Sequence, residues 1–142
     1  MGLDQYGMIR NKQIDFEKVY SDKYEPQKDG FVWRKHARLQ TFMAREFAKQ
    51  NPKVKTDEHI NLNGLGFNGD EHKVVITKDV LKRLENAIKE KYYHFFASDG
   101  FFWGQQFQEE QVKAYKKQDL EFIKFCKNAL EKKEVIEYSC SW

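Results

Sequence analysis

The chain has 142 residues, of which 40% are apolar and 33% are charged. This length suits a single domain spanning residues 1–142, which buries roughly two-thirds of the surface that its unfolded chain exposes. The 25 basic and 22 acidic residues leave a net charge of +3. Because the two signs are interleaved along the chain, the charge pattern disfavours nucleic acid as a partner.

Neither the cysteines nor the hydropathy indicate export or membrane insertion. Cys126 and Cys140 are too few for a disulfide framework. No run approaches the roughly 20 apolar residues that a membrane-spanning helix needs, and residues 1–6 lack a signal-peptide pattern. Tyr6 also stands where a myristoylation motif needs Ser or Thr. We therefore expect a cytoplasmic protein without a membrane partner.

The first half of the chain predicts a strand, a surface excursion and a helix. Residues 3–9 alternate loosely and predict a strand, and the polar residues 10–30 predict an excursion with a short strand near 16–20. Residues 32–49 have helical periodicity. Their apolar stripe contains Val32, His36, Leu39, Met43 and Phe47.

The second half predicts two further helices between short strands. In chain order these elements are a loop over 50–71, a strand over 73–76, a helix from the N-cap Thr77 to about 92, an aromatic segment over 94–104, a helix over 107–132 and a strand over 135–139. Together the elements predict an α+β fold in which a small, mostly antiparallel sheet packs against three helices.

Two polar residues lie where the helical period calls for apolar ones. His36 falls between Val32 and Leu39, and Asp119 falls between Tyr115 and Phe122. One interpretation is structural: Asp119 accepts hydrogen bonds from a core Tyr, Trp or backbone group, since buried polar groups are nearly always satisfied. The other is that both helices line a pocket in which His36 and Asp119 contact a polar ligand.

Two aromatic segments are candidate ligand contacts. Trp33, Arg34 and Lys35 put two cations beside an indole, a combination that suits a flat, anionic ligand. The glycine-punctuated segment 98–104 supplies Ser98, Phe102 and Trp103. The structural alternative for both segments is an aromatic that packs into the core, with the cations in solvent.

Catalytic and cofactor motifs are weak. Residues 64–69 have the glycine spacing of a dinucleotide-binding loop, but a strand rather than a helix is predicted after them, which favours a hairpin or loop. The histidines match no metal-ligand spacing, and neither a nucleophile elbow nor a Walker loop occurs. The sequence therefore predicts no cofactor and no metal, and it favours binding over catalysis.

The chain resembles a family of short phage and bacterial proteins. Members begin Met-Gly-Leu-Asp-x-Tyr, carry a Trp-Arg-Lys helix and a Gly-Phe-Phe-x-Gly turn, and end near Tyr-x-x-Ser-Trp. The matching segments here are 1–6, 33–36, 74–84, 100–104 and 138–142. The family is mostly without an assigned activity.

The resemblance implies a phage setting, inside a bacterial host cell. The chain departs from the family pattern at Ala37 and Gln40, where members usually carry Asn and His. It also lacks the Cys-Gly-Glu-Tyr stretch that members usually carry before the central strand. We therefore expect a counter-defence protein that sequesters a nucleotide-derived signal, such as an ADP-ribose derivative or a cyclic nucleotide, with Gln40 among the ligand contacts. The alternatives are a small nucleotide hydrolase and a protein-binding inhibitor of a host enzyme, and a homodimer is left open.

Overall fold

Four strands form one antiparallel sheet. The computed structural model describes residues 3–52, 73–90 and 111–141. Within them the strands are β1 (Asp4–Ile9), β2 (Phe31–Arg34), β3 (Val74–Val75) and β4 (Ile136–Ser141). Their spatial order is β2-β1-β4-β3, with antiparallel pairing throughout. The predicted sheet is therefore confirmed.

Period-two alternation gives the sheet one buried face. Gly7 of β1 is paired with Phe31 of β2 and with Tyr138 of β4, and all three are buried. Within each strand, the residues next to these positions point to the opposite face and are only partly buried or exposed. The three long helices pack against the buried face.

Five helices occur in the described ranges: α1 (Phe16–Val19), α2 (Pro26–Asp29), α3 (Ala37–Gln50), α4 (Lys78–Lys89) and α5 (Val112–Glu131). The first two are single turns, and the three long ones are those that the sequence predicts. Together with the sheet they confirm the α+β class. Among the described helices, none combines the length and the apolar character required to cross a bilayer.

The core is built around an aromatic contact between α5 and the sheet. Phe122 is fully buried, and its ring lies 5.0 Å from that of Trp33 and 5.2 Å from that of Phe31, both centroid to centroid. Gly7 admits this ring, since a Cβ at that position would stand 2.6 Å from Cε1 of Phe122. The glycine in β1 is therefore explained by the close approach of α5.

The predicted start of the first long helix is wrong. Residues 31–34, including the Trp-Arg segment assigned to that helix, form β2, and α3 begins only at Ala37. Phe31 and Trp33 alternate with Val32 and Arg34 in burial, and pairing with β1 selects this period over the helical one. Helical spacing resumes after His36, the N-cap residue of α3.

The predicted short strand near residues 16–20 is also wrong. This segment forms the single turn α1, and the Asp15 carboxylate accepts a hydrogen bond from the Lys18 amide. Asp15 is thus an N-cap within the excursion. The rest of the excursion contains α2, which has Pro26 at its first position.

The other elements agree with the sequence to within a few residues. The Thr77 hydroxyl caps α4 by accepting a hydrogen bond from the Val80 amide, 3.2 Å away. Predicted elements that lie wholly or partly outside the described residues are most of the 50–71 loop with the glycine segment 64–69, the end of a helix near 92, the 94–104 segment and the helix start at 107.

An ion pair joins α3 to α4. Glu46 is 2% exposed, and its two carboxylate oxygens accept hydrogen bonds of 2.7 and 2.8 Å from Arg83. Burial acts to raise the pKa of the Glu46 carboxyl, but the hydrogen bonds and charge of Arg83 and the charge of Lys49 outweigh it, so the pKa is lowered.

We expect the Glu46→Gln substitution to cost about 1–3 kcal/mol of unfolding free energy at neutral pH, because it removes a charge-assisted bidentate pair. Because the pKa of Glu46 is lower in the folded state than in the unfolded state, its ionisation stabilises the fold at any pH above the unfolded-state pKa. This stabilisation is lost as the pH falls through the folded-state pKa. Urea unfolding should therefore show the wild type and the variant converging in acid. A difference that stays constant from neutral pH to well below pH 4 would contradict this account.

Candidate functional site

A buried carboxylate joins β2, the β2–α3 turn and α5. Asp119 of α5 is 1% exposed. Its Oδ1 accepts a hydrogen bond from the Trp33 indole at 3.0 Å, and its Oδ2 lies 2.8 Å from Nε2 of His36. Each carboxylate oxygen thus has a nitrogen partner. The indole contact is the one that the structural interpretation of Asp119 expects, a hydrogen bond accepted from a core Trp.

The imidazole of His36 is held between this carboxylate and an aromatic ring. It stacks on Tyr115, with 4.1 Å between ring centroids and 3° between planes. The Tyr115 hydroxyl donates to the carbonyl of Arg34 at 2.6 Å. Burial, and then the charge of Asp119, raises the pKa of the Tyr115 phenol. The phenol therefore stays protonated and remains a donor.

The side chain of Gln5 holds the backbone of His36. Its amide nitrogen donates to the His36 carbonyl at 3.0 Å, and its amide oxygen accepts from the His36 amide at 2.9 Å. The preceding residue, Lys35, has a φ of 56°, a left-handed conformation that costs energy for a residue with a side chain. Gln5 therefore stabilises the turn that directs the imidazole towards Asp119.

A chain of polar contacts continues from Gln5 across β4. The Tyr138 hydroxyl accepts a hydrogen bond from Gln5 and donates one to Gln40. The Gln40 amide nitrogen lies 3.4 Å from Sγ of Cys140. Burial raises the pKa of the Tyr138 phenol, and it raises that of the Cys140 thiol to about 12 although the Gln40 contact opposes the shift. The thiol is therefore protonated at neutral pH.

These groups form one connected set, here called the polar cluster: Gln5, Trp33, His36, Gln40, Tyr115, Asp119, Tyr138 and Cys140. Each of them is at most 5% exposed. A buried polar network of this size costs folding free energy unless its groups are hydrogen-bonded. Its presence in a small core therefore marks the polar cluster as a candidate functional site.

A cation lies next to the polar cluster. Arg38, in the first turn of α3, is 4% exposed, and its charge acts to lower the pKa of the Tyr115 phenol. The first turn of α3 has no acidic residue, and the N-cap His36 makes no side-chain capping bond. The helix dipole and the guanidinium of Arg38 therefore both contribute positive electrostatic potential at the start of α3.

The fold brings together four of the predicted site residues: Trp33, His36, Gln40 and Asp119. Arg34 and Lys35 belong to the adjoining turn. The Arg34 side chain is 75% exposed, with its Nε 3.9 Å from Oδ1 of Asp4, and Lys35 is half-buried. Three further predicted contacts lie outside the described residues: Ser98, Phe102 and Trp103.

The sequence reasoning missed several members of the site. Gln5 lies between the buried positions Leu3 and Gly7, so it is a polar residue on an inward-facing strand position. Tyr138 lies between the buried positions Ile136 and Cys140 in the same way. Applying to strands the argument that singled out His36 and Asp119 on helices would have found both residues.

The cluster offers hydrogen-bond donors, one hydrogen-bonded carboxylate and a nearby guanidinium. Over residues 3–52, 73–90 and 111–141, no group of three or more His, Cys, Asp or Glu side chains is arranged to hold a metal ion. Comparison with known protein families, curated proteins and solved structures found no match.

Proposed function

We propose that this protein binds a small anionic, nucleotide-like molecule at the polar cluster and holds it without chemical change. The observation that carries the proposal is the buried cation Arg38 beside a connected set of buried donors and acceptors at the start of α3. From the family resemblance, we further propose that the molecule is a nucleotide-derived immune signal and that the protein is a phage counter-defence factor that sequesters it.

The cluster's chemistry suits the parts of a nucleotide. A guanidinium at a helix N-terminus is a favourable partner for a phosphate, because its planar donors and the helix dipole both attract negative charge. Ribose hydroxyls and base edges need neutral donors and acceptors, which the amides of Gln5 and Gln40 and the phenols of Tyr115 and Tyr138 provide. When a ligand binds, these buried groups would exchange hydrogen bonds with each other for hydrogen bonds to the ligand, so that none is left without a partner.

Retention is favoured over turnover by the state of the reactive groups. Both oxygens of Asp119 have nitrogen partners. Burial raises the pKa of the Cys126 thiol and of the Cys140 thiol, so neither supplies a thiolate nucleophile at neutral pH. A sequestering protein needs no nucleophile, whereas an enzyme acting through a covalent intermediate does.

Arg38→Met tests the assignment. Using ADP-ribose and cyclic AMP as probes, we expect calorimetry to give at least about ten-fold weaker binding than wild type, since a charge-assisted hydrogen bond contributes roughly 1.5–3 kcal/mol. Because the cluster is buried, we also expect association slower than about 10⁵ per molar per second.

Arg45→Met is the matched control, because Arg45 is an exposed arginine on the same helix, and circular dichroism reports whether both variants are folded. Equal affinities in the two variants, or no binding of either probe to the wild type, would contradict the proposal.

A hydrolase is the second candidate, favoured by one observation, the 2.8 Å contact between His36 and Asp119. A carboxylate that orients an imidazole is the usual arrangement behind a histidine general base. Incubating the wild type with ADP-ribose and analysing the nucleotide by chromatography separates the two candidates. Intact ADP-ribose supports sequestration, and a product absent from an Asp119→Asn sample supports the hydrolase.

A further inference from the structure

We propose that the outer face of the sheet carries a second binding site, separate from the polar cluster, for a small molecule that combines a flat aromatic ring with an anionic group. A groove of about 530 Å³ lies there between β1, β4 and the segment that runs from β1 into α1. Its volume lies within the range of small-molecule sites, about 300–1,000 Å³.

One wall of the groove is aromatic. The rings of Tyr6 on β1 and Phe16 on α1 meet edge to face, with 5.8 Å between centroids and 88° between planes. Phe16 is 46% exposed although it lines the groove. A flat ring that enters would cover this exposed face and gain stacking as well as hydrophobic contact.

The floor of the groove is apolar and is shaped by a glycine. Met8 and Ile14 both line the groove, and both pack over Gly30, whose φ is 99°. A Cβ on Gly30 would stand 2.7 Å from Cγ1 of Ile14 and 3.1 Å from Sδ of Met8. The left-handed glycine therefore allows these two side chains to lie close to the backbone and leaves space above them.

The charge at the rim is positive. Lys12 and Lys73 line the groove together with a single acidic residue, Glu137. Glu137 is already paired: one carboxylate oxygen lies 3.2 Å from Nε of Arg10 and the other 3.9 Å from Nζ of Lys73. In the described part of the chain, Lys12 makes no ion pair within 4.0 Å. The groove is therefore complementary to an anion.

The hydroxyls of Ser139 and Ser141 complete the rim. They occupy outward positions of β4, which alternate with the inward-facing Tyr138 and Cys140 of the polar cluster. The groove and the cluster thus lie on opposite faces of one sheet. Either site can fail its test without affecting the other.

Methyl NMR of the full chain with labelled methionine tests the groove directly. Met8 lies in the groove, and Met43 is fully buried in the core and serves as the internal control. With naphthoate as the probe, we expect a saturable shift of the Met8 methyl with a Kd of about 1 mM and no shift of Met43. Naphthylmethanol, which lacks the charge, and cyclohexanecarboxylate, which lacks the aromatic ring, should each bind at least about five-fold more weakly.

Two pairs of variants assign the effect to the groove. Lys12→Glu should weaken naphthoate binding by about five-fold or more, and Lys124→Glu, at an exposed position of α5, should not. Phe16→Ala should weaken it similarly, and Tyr20→Ala should not, because Tyr20 is 79% exposed and lies outside the groove lining. Absence of a saturable Met8 shift, or equal effects within either pair, would overturn the proposal.

Discussion

Replacing Asp119 with leucine is expected to lower the free energy of unfolding by about 2–4 kcal/mol. The carboxylate partners both the Trp33 indole and the His36 imidazole, and all three side chains are buried. Leucine has the same branched arrangement of side-chain heavy atoms but accepts no hydrogen bond, so the indole loses its acceptor and the imidazole loses its carboxylate. Each unsatisfied buried donor costs about 1–3 kcal/mol. Urea denaturation followed by circular dichroism measures the loss.

Glu131→Leu is the matched control for this substitution. Glu131 is an exposed carboxylate at the end of the same helix, and its replacement should change stability by less than about 0.5 kcal/mol. If the Asp119 variant proved as stable as the wild type, the carboxylate would not be the centre of the buried network.

Phe122→Ala is expected to cost about 3–5 kcal/mol, the range for removing a fully buried aromatic side chain. The ring contacts Phe31 and Trp33 edge to face, and it occupies the space that Gly7 leaves open on β1. Its loss opens a cavity beneath the centre of the sheet. Thermal and urea unfolding should both report the change.

Leu120→Ala is the control for Phe122, because Leu120 is a large apolar residue on the same helix that is 46% exposed. We expect it to cost less than about 1 kcal/mol. Equal losses in the two variants would mean that α5 does not pack through the face that carries Phe122.

Elements with a single periodicity could be predicted from the sequence. The alternation in residues 4–9 and the helical spacing in α4 and α5 each fit only one type of structure, and Thr77 is a strong N-cap. The segment that leads into α3 fits two types. Val32, His36 and Leu39 have helical spacing, while Phe31 and Trp33 have strand spacing, and only pairing with β1 decides between them.

The candidate site could be predicted only in part. His36 and Asp119 were recognisable because each is polar on an apolar helical stripe. Their bond to each other is a tertiary contact over a separation of 83 residues, which no local pattern encodes. The same holds for Gln5 and Tyr138, whose strands come together only in the folded sheet.

Native mass spectrometry shows whether the protein carries a nucleotide-like molecule. The protein is purified from cells with active nucleotide-signalling defences, its intact mass is recorded, and any small molecule released on denaturation is analysed. We expect a chemically intact nucleotide-like molecule at one per chain in the wild type and its loss in Arg38→Met but not in Arg45→Met. Folded wild-type protein that carries no such molecule, or that carries it equally in all three samples, would contradict the account.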